Sequence, residues 1–533
     1  MNAIRNDRLT AWLYGLILVG IVAGLFLNMG INAVFLEEPR RCMVGLEMAY
    51  NDNYIVPTYY GEFYYRKPPI FNWALLGSFS LFGVTEWAAR LVTVLSLLAW
   101  GFVNYLFVKR HSTERLARFS SLLLVCNAIN FYFMSMFAEI DMFYCLISYS
   151  GIILFYHFYK KDKVWLMFLS LYGIQAIGLL TKGLPSAPFI GLTILGFLVW
   201  KRNWRQVFSL AHVAGFLLFA GIVGGYLYWY SQFNGLENYW GGVWGEASGR
   251  TMVGQTWLRL VRHIFEFPIA TLLDIAPAGL FALFLLRKGA WKRLWQDEMV
   301  TFCGIAWLAN FLLYWTAPGA KGVYVIMLDP LLLIPCVKLF LNEAPSLPWV
   351  GKLLGGFNTF ALGLVTVFMI AAPFVPYFEP VQGLLWQAIL FVVGMAGVWW
   401  LWTKTRAQQM AWLVMALVVG RIAFDIVVLP MRVWDGRHTR FKADAEKIVE
   451  ISGSDRVWIH RAKDEGEFAH HFAFYIERGK EEVLRWTEER RCGDYYLDLE
   501  RDVKPEEIEV FHKFKNWNHD YVMFRWKDCG EGG

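Results

Sequence analysis

The sequence predicts a polytopic α-helical membrane protein with a small polar α/β domain at its carboxyl end. Of the 533 residues, 57% are hydrophobic and only 18% are charged, whereas soluble domains carry about 25% charged residues. Long apolar runs recur up to about residue 429, and the composition then turns sharply polar. The chain therefore divides into a membrane domain, residues 1–429, and an extramembrane domain, residues 430–533.

About thirteen runs are long and apolar enough to span a bilayer, which takes about 17–25 residues. We predict spans near residues 11–31, 88–108, 117–137, 142–159, 164–180, 185–200, 208–229, 265–286, 298–316, 322–341, 354–376, 382–403 and 409–428. The first run is longer than a signal-peptide core, so it is predicted to be a retained span. The shorter run from Phe71 to Val84 follows Pro69 and fits an interfacial or re-entrant helix better.

Clusters of Lys and Arg between the apolar runs set the predicted orientation. They are Lys109/Arg110 with Arg115/Arg118, Lys160/Lys161/Lys163, Lys201/Arg202/Arg205, Arg287/Lys288/Lys292/Arg293 and Lys404/Arg406. All fall on one side, which the positive-inside rule makes cytoplasmic together with the amino terminus. The loops at 32–87, 138–141, 181–184, 230–264 and 317–321 then face outward, as does the tail. This pattern indicates topology and gives little support to nucleic-acid binding.

The tail alternates helical patterns with strand-like runs. The helical patterns cover Lys442 to Ile451 and Glu467 to Arg478, and the strand-like runs cover Arg456 to His460, Tyr495 to Leu499 and Asp520 to Arg525. This alternation predicts a small α/β domain on the outer surface. Cys492 and Cys529 lie in this domain and could form a disulfide outside the cytoplasm, whereas the other five cysteines accompany apolar runs and are predicted to be buried.

Ionisable residues gather in the predicted outer loops. They are Glu37, Glu38, Arg40 and Lys67, then Glu139 and Asp141, Lys182, Arg250, Lys321 and Tyr324. Paired carboxylates suit a general base or a metal-ligand set, and several cations suit a phosphate group. Together they meet the needs of group transfer from a phosphate-bearing donor. Each also has a plainer interpretation, because loop charges are commonly solvated and loop tyrosines and arginines commonly anchor a protein at the lipid interface.

The order and spacing of these residues carry a family resemblance. Glu37-Glu38-x-Arg40-(x)6-Glu47-Met48, Asn53 to Pro57, Gly61, Lys67-Pro68-Pro69, Trp73, Phe82-Gly83 and Arg90-Leu91 closely resemble the first outer loop of the aminoarabinose transferase (ArnT-like) family. These are lipid-linked-sugar glycosyltransferases of the GT-C fold, related to protein O-mannosyltransferases. The resemblance continues through Glu139/Asp141, Thr181 to Gly183, Arg250-Thr251, His263 to Pro268 and Lys321 to Pro330.

The resemblance implies roles for these residues. Glu37 falls where the family usually has a catalytic Asp, and Glu38 and Asp141 match further acidic positions, so all three are assigned to catalysis. Glu37 or Asp141 is expected to position or deprotonate the acceptor. Lys67, Arg250, Lys321 and Tyr324 match positions expected to hold the donor phosphate, and Arg40, Tyr64, Lys182 and Glu139 are assigned to substrate binding. Arg66 stands where an acidic residue is common, so no metal ligands are assigned and a requirement for a divalent ion stays open.

The expected reaction is a single inverting displacement in the inner membrane, with a polyprenyl-phosphate sugar, of the undecaprenyl type in a bacterium, used on the periplasmic face. The expected acceptor is lipid A or another cell-envelope glycolipid, and the protein is expected to be a monomer among membrane lipids. A protein O-glycosyltransferase of the same fold is an alternative. A lipid-linked-sugar transporter or flippase is another, for which Asp329 and Asp274 inside predicted spans would be the candidate residues.

Overall fold

The computed structural model describes residues 2–184, 186–248, 256–460, 470–516 and 519–527. Its α-helices are α1 (Asn2–Phe26), α2 (Glu38–Tyr50), α3 (Ile70–Phe82), α4 (Glu86–His111), α5 (Glu114–Cys126), α6 (Ala128–Tyr132), α7 (Ile140–Tyr159), α8 (Val164–Lys182), α9 (Ser186–Trp200), α10 (Trp204–Val207), α11 (Leu210–Tyr230), α12 (Leu236–Ser248), α13 (Trp257–Asp274), α14 (Ala290–Leu294), α15 (Glu298–Trp315), α16 (Asp329–Glu343), α17 (Pro348–Ala371), α18 (Leu384–Thr405), α19 (Gln409–Asp435), α20 (Arg437–Ser452) and α21 (His470–Lys480). Short 3₁₀ turns cover Met134–Met136, Ala278–Leu286, Gly322–Tyr324, Ile326–Leu328, Ala344–Ser346, Ala372–Phe374, Pro376–Phe378 and Glu500–Asp502.

Within the described ranges, nine helical segments are long and apolar enough to cross a membrane. They are Asp7–Phe26, Glu86–His111, Ile140–Tyr159, Val164–Lys182, Leu210–Tyr230, Glu298–Trp315, Pro348–Phe374, Leu384–Thr405 and Gln409–Trp434. Each overlaps one predicted span, and the fold is that of a multi-pass membrane protein.

The four other predicted spans are shorter or broken helices, so the count of thirteen is not confirmed. The run at 117–137 breaks where Asn127 ends α5 and caps α6 by accepting a hydrogen bond from the Asn130 N–H (2.8 Å). The run at 265–286 breaks where α13 ends at Asp274, shortly before Pro277, which cannot donate a helical hydrogen bond. The run at 322–341 opens with two 3₁₀ turns, and that at 185–200 forms a helix of only 15 residues.

The first outer loop packs as two helices and a hairpin. Helix α2 starts with Glu38 and Pro39, and a first-turn proline suits a helix start because its missing N–H has no partner to bond there. The hairpin pairs β1 (Thr58–Tyr59) with β2 (Glu62–Phe63), and its tip residues Tyr60 and Gly61 both have positive φ, as tight hairpin turns require. The expected interfacial or re-entrant segment is helix α3.

The tail forms a five-stranded mixed sheet, which confirms the predicted α/β character. Its strands are β3 (Val457–Ile459), β4 (Arg485–Trp486), β5 (Tyr495–Leu499), β6 (Ile508–Asn516) and β7 (His519–Trp526). The order is β4-β3-β5-β7-β6, with β3 parallel to β4 and β5 and the other pairs antiparallel. Helices α20 and α21 pack against each other, and α21 also packs on α2. One apolar core therefore joins the tail to the first outer loop.

Candidate active site

A fully buried ion pair fixes the start of the first outer loop. The Arg90 Nε and Nη2 atoms donate to the two Glu38 carboxylate oxygens at 2.9 and 3.0 Å. Arg90 also donates to the carbonyls of Met29, Asn32 and Ala33. Glu38 in turn accepts from the backbone N–H groups of Phe35 and Ala138 at 3.0 and 2.7 Å. This carboxylate is 0% exposed, so its geometry serves to hold the loop against α4 and α7.

The neighbouring carboxylate has a different environment. The Glu37 side chain is 45% exposed and pairs with the Arg40 Nη1 atom at 2.9 Å. The Arg40 guanidinium carbon lies 5.7 Å from the centre of the Tyr59 ring. Glu37 is therefore held at the surface of the loop with one oxygen engaged by a cation, and it remains accessible to a ligand.

A second ion pair lies beside Glu37. The Arg41 Nε atom lies 3.4 Å from a Glu139 oxygen, and its Nη1 atom donates to the Tyr64 hydroxyl at 3.1 Å. Burial raises the pKa of the Glu139 carboxyl to about 7, while the Arg41 charge opposes that shift and the nearby Asp141 and Glu37 add to it. Glu37, Glu139 and Asp141 therefore belong to one electrostatically coupled cluster.

The third ion pair connects this cluster to a cavity. The Lys182 Nζ atom lies 2.5 Å from an Asp141 oxygen, and the two side chains are only 8% and 12% exposed. The same ammonium lies 5.0 Å from the Tyr144 ring centre and 5.9 Å from that of Tyr324. Asp141 and the two aromatic faces thus hold one positive charge at the cavity wall.

The cavity has a volume of about 530 Å³ and an amphipathic lining. Its cationic groups are Arg66, Lys67 and Lys182, and Tyr65, Tyr144 and Tyr324 add aromatic rings and hydroxyls. Its apolar wall comes from α8, α11, α12 and α15 and includes Leu179, Phe219, Val223, Leu227, Val243 and Leu313. Such a lining suits a ligand with an anionic head and a long apolar tail.

The fold brings most of the predicted site residues into two adjoining groups. Lys67, Lys182 and Tyr324 line the cavity, and Lys321 is exposed just outside it, at the start of the 3₁₀ turn that ends at Tyr324. The second group is the coupled cluster of Glu37, Glu139 and Asp141 together with Arg40 and Tyr64, and the buried Glu38 supports it. Arg250 lies outside the described residues, so its predicted phosphate contact stays a prediction.

The described residues do not suit a resident metal ion. No group of three or more His, Cys, Asp and Glu side chains in these ranges has an arrangement that could hold one. Arg66 lies in the cavity wall, where the resemblance led us to expect an acidic residue.

Sequence reasoning missed several residues of this site. Arg41 bridges Glu139 and Tyr64, yet its only signal was its position beside Arg40. Tyr144 looked like an ordinary residue of an apolar span. It is fully buried, and its ring lies beside the Lys182 ammonium in the cavity wall. Its position three residues after Asp141 puts both on one face of α7, a signal that the sequence did offer.

Known proteins match part of this chain in sequence. Residues 66–229 match the family described as dolichyl-phosphate-mannose-protein mannosyltransferase. The chain is similar to the undecaprenyl phosphate-alpha-4-amino-4-deoxy-L-arabinose arabinosyl transferase of Shewanella sediminis (strain HAW-EB3), with 24% identity over 338 residues, 58% of this chain and 57% of the relative. The protein of that name from Pseudomonas savastanoi pv. phaseolicola is 21% identical over 202 residues, 37% of this chain and 38% of the relative. The chain spans only 33% to 58% of the length of the curated relatives it matches.

The structural match covers nearly the whole chain. The crystal structure of ArnT from Cupriavidus metallidurans bound to undecaprenyl phosphate superposes with a TM-score of 0.70 at 17% identity, covering 96% of this chain and 98% of that one. The apo structure of the same protein gives a TM-score of 0.68. The chain therefore has the fold of ArnT, which confirms the resemblance to the ArnT-like, GT-C architecture predicted from its first outer loop.

Proposed function

We propose that this chain is a membrane glycosyltransferase that moves a sugar from a polyprenyl-phosphate donor to an acceptor at the outer face of the inner membrane. The observation that carries the proposal is the 530 Å³ cavity, whose wall combines three cationic groups with an apolar surface. A polyprenyl phosphate has the same division into an anionic head and an apolar chain. The similar ArnT of Cupriavidus metallidurans was solved with undecaprenyl phosphate, which supports a donor of that class.

The proposed donor site places the phosphate near Lys67 and Lys182 and the polyprenyl chain along α8, α11 and α12. Cations and hydroxyl donors stabilise the negative charge that develops on the leaving phosphate. Asp141 does not serve as a base here, because its oxygen is held by the Lys182 ammonium at 2.5 Å. Its role is to keep Lys182 protonated and aimed at the cavity. Lys321 is proposed to add charge from beside the cavity, and Arg250 keeps its predicted role in binding the phosphate.

The acceptor is proposed to approach from the side of Glu37. A single displacement at the anomeric carbon forms the bond to an acceptor oxygen, breaks the bond to the phosphate oxygen and inverts the configuration. A hydroxyl acceptor gives up a proton, which Glu37 accepts as the exposed carboxylate of the cluster. A phosphate acceptor is already ionised near neutral pH, and Glu37 then orients the sugar or the Arg40 cation.

The proposed acceptor is lipid A or another cell-envelope glycolipid, the acceptor class that the resemblance to the aminoarabinose transferase family implies. A protein acceptor is the second candidate. It is favoured by the match of residues 66–229 to a family described as protein mannosyltransferases. The two acceptors leave different products in the cell.

Mass spectrometry of lipid A, total glycolipids and envelope glycoproteins tests both candidates in cells with the gene, without it, and with Glu37→Gln. We expect deletion to remove a sugar-sized mass from an envelope lipid and Glu37→Gln to lower it by about 100-fold or more if the acceptor is a hydroxyl. Glu379→Gln, an exposed carboxyl on the turn after α17, is the matched control and should change nothing. A mass lost from proteins alone would move the acceptor to proteins, and no lost mass in any fraction would contradict transfer.

The outward orientation of the tail is a separate part of the proposal. Cys492 is disulfide-bonded, which suits an oxidising compartment such as the periplasm. The five buried cysteines Cys42, Cys126, Cys145, Cys303 and Cys336 are free thiols, and Cys529 lies outside the described residues. Cys492→Ser should release one new thiol that a membrane-impermeant maleimide labels from the periplasmic side. Labelling only after the inner membrane is opened would contradict this orientation.

A further inference from the structure

The tail domain is tied to the first outer loop by more than apolar packing. The Tyr475 hydroxyl donates to Glu86 at 3.0 Å and accepts from the Val34 N–H at 2.9 Å. Lys442 pairs with the same Glu86 carboxylate at 2.8 Å. Helices α20 and α21 therefore contact both ends of the first outer loop, at Val34 after α1 and at Glu86 at the start of α4.

Two carboxyl groups meet inside this interface. Glu47 lies on α2 and Glu477 on α21, and both are 0% exposed. Their side chains are within hydrogen-bonding reach of each other. One Glu477 oxygen accepts from the Leu484 N–H at 3.1 Å, and the other, Oε2, is buried and has no conventional donor among the described residues.

A shared proton resolves this arrangement. Two carboxylates in contact repel each other, and a carboxylate oxygen cannot donate. If one group carries a proton, it becomes a donor and the contact becomes a hydrogen bond, as in carboxyl pairs that titrate as a unit. The two glutamates then share one negative charge.

Glu47 links the pair to the hairpin of the first outer loop. Its oxygens accept from the backbone N–H groups of Tyr60 and Gly61 at 2.5 and 2.9 Å. These residues form the tip between β1 and β2, and the chain leaves β2 directly into residues 65–68, which line the donor cavity. Contacts therefore connect Glu477 in the tail, through Glu47 and the hairpin, to residues 65–68 in the cavity wall.

We propose that Glu477 is a positioning residue, and that a proton held between Glu477 and Glu47 couples the docked tail to the placement of Lys67 at the donor cavity. The consequence for catalysis rests on the proposed function, but the coupling itself is a property of the fold. Glu477 touches neither donor nor acceptor, and it acts through Glu47 and the hairpin.

The coupling has a defined pH range. Burial raises the pKa of Glu47 to about 7, opposed by its hydrogen bonds from Gly61, Thr58 and Tyr60, and burial together with the Glu47 charge raises the pKa of Glu477 further. Arg485 and Tyr50 are the other charged or titratable groups that interact with Glu477, and Arg478 and Glu481 interact in turn with Tyr50. Because the carboxyl pKa is raised in the docked state, protonation stabilises that state at pH values below the usual carboxyl pKa of about 4.5. This stabilisation is lost as the pH rises through about 7.

Hydrogen–deuterium exchange of the full chain in nanodiscs tests the proposal without any transferase assay. The readout is the protection factor of peptides covering residues 58–68, corrected for intrinsic exchange, from pH 5 to 8. We expect protection of the wild-type hairpin to fall as pH rises, by up to about tenfold per pH unit near the shared pKa. In Glu477→Gln the amide donates to the Glu47 carboxylate without a shared proton, so protection should fall with pH clearly less than in the wild type.

Glu450→Gln, an exposed carboxyl on α20, is the matched control and should follow the wild type. A wild-type hairpin whose protection does not change with pH would overturn the proposal without any variant. So would a folded Glu477→Gln protein that keeps the wild-type pH profile. If the hairpin behaves as expected but no sugar is transferred in cells, the coupling stands and the proposed function fails.

Discussion

The adjacent carboxylates Glu37 and Glu38 offer a sharp test of the site. Replacement by glutamine keeps the size of each side chain and removes only its charge. Glu38→Gln leaves the Arg90 guanidinium buried without its counter-ion, because Arg90 is 2% exposed and its other partners are neutral carbonyls. Glu37→Gln leaves Arg40 facing an amide oxygen at the surface of the loop.

The two variants should therefore differ strongly in stability. Breaking a buried ion pair by removing one partner costs about 3–5 kcal/mol, and we expect Glu38→Gln to lose about that much in free energy of unfolding. Glu37 is 45% exposed, so solvent screens its pair and Glu37→Gln should cost about 1 kcal/mol or less. Its effect should appear in sugar transfer instead.

The measurement is chemical unfolding in mixed micelles, followed by tryptophan fluorescence, on the same preparations used for transfer assays. Glu38→Gln should unfold at clearly lower denaturant and lose activity in proportion to folded protein. Glu37→Gln should unfold like the wild type. A Glu38→Gln protein that is as stable as the wild type and inactive would refute the division of roles and give Glu38 a part in the chemistry.

Three further predictions concern the cavity and the coupled cluster. Asp141→Asn should destabilise the protein more than the double variant Asp141→Asn/Lys182→Met, because the single change leaves a buried ammonium unpaired. A double-mutant cycle should give a coupling energy of at least about 1 kcal/mol, and additive losses of stability would show that the two side chains do not interact. Lys67→Ala should weaken binding of undecaprenyl phosphate in nanodiscs by about 10- to 100-fold, which corresponds to the loss of a charge-assisted hydrogen bond. The control Lys404→Ala, at an exposed position on α18, should bind like the wild type. Equal affinities of Lys67→Ala and the wild type would show that Lys67 does not bind the phosphate. Glu139 has its pKa raised to about 7 by burial, so the stability it gives is present below about 4.5 and is lost as pH rises through 7; Glu139→Gln should flatten the pH dependence of unfolding in that range, and an unchanged profile would show that another group titrates there.

Much of the fold could be predicted because hydrophobic length is a strong signal. Nine predicted spans correspond to long apolar helices, and the last of them, α19, runs past the predicted boundary at residue 429 to Asp435. The broken helices were harder to predict. Hydropathy does not detect a helix cap such as Asn127 or a proline such as Pro277 inside an apolar run. The runs at 117–137 and 265–286 therefore looked continuous.

The tail shows a related limit. Strand β5, Tyr495–Leu499, was predicted with the right bounds, and it is fully buried at the centre of the sheet. Strand β6, Ile508–Asn516, was not predicted at all. It lies at the sheet edge, has a bulge between Val510 and His512, and carries charged residues that interrupt the alternation expected of a half-buried strand.

For the site, sequence order could suggest which residues meet, but not what each one does. Glu37, Asp141 and Glu38 were all predicted as catalytic, and their environments separate them. Two of the three already have a buried cation within hydrogen-bonding distance. Partners from other helices, such as Arg90 on α4, determine this, and no local pattern around Glu38 reveals them.

The partners of the other carboxylates strengthen the case for Glu37. Glu38 pairs with Arg90, Asp141 with Lys182 and Glu139 with Arg41. A buried charge without such compensation would cost several kcal/mol, so these ion pairs are a condition for placing the carboxylates inside the fold at all. Glu37 alone of these four keeps nearly half of its side chain exposed. A group that must meet a substrate has to be reachable before it binds, and within this cluster Glu37 satisfies that condition.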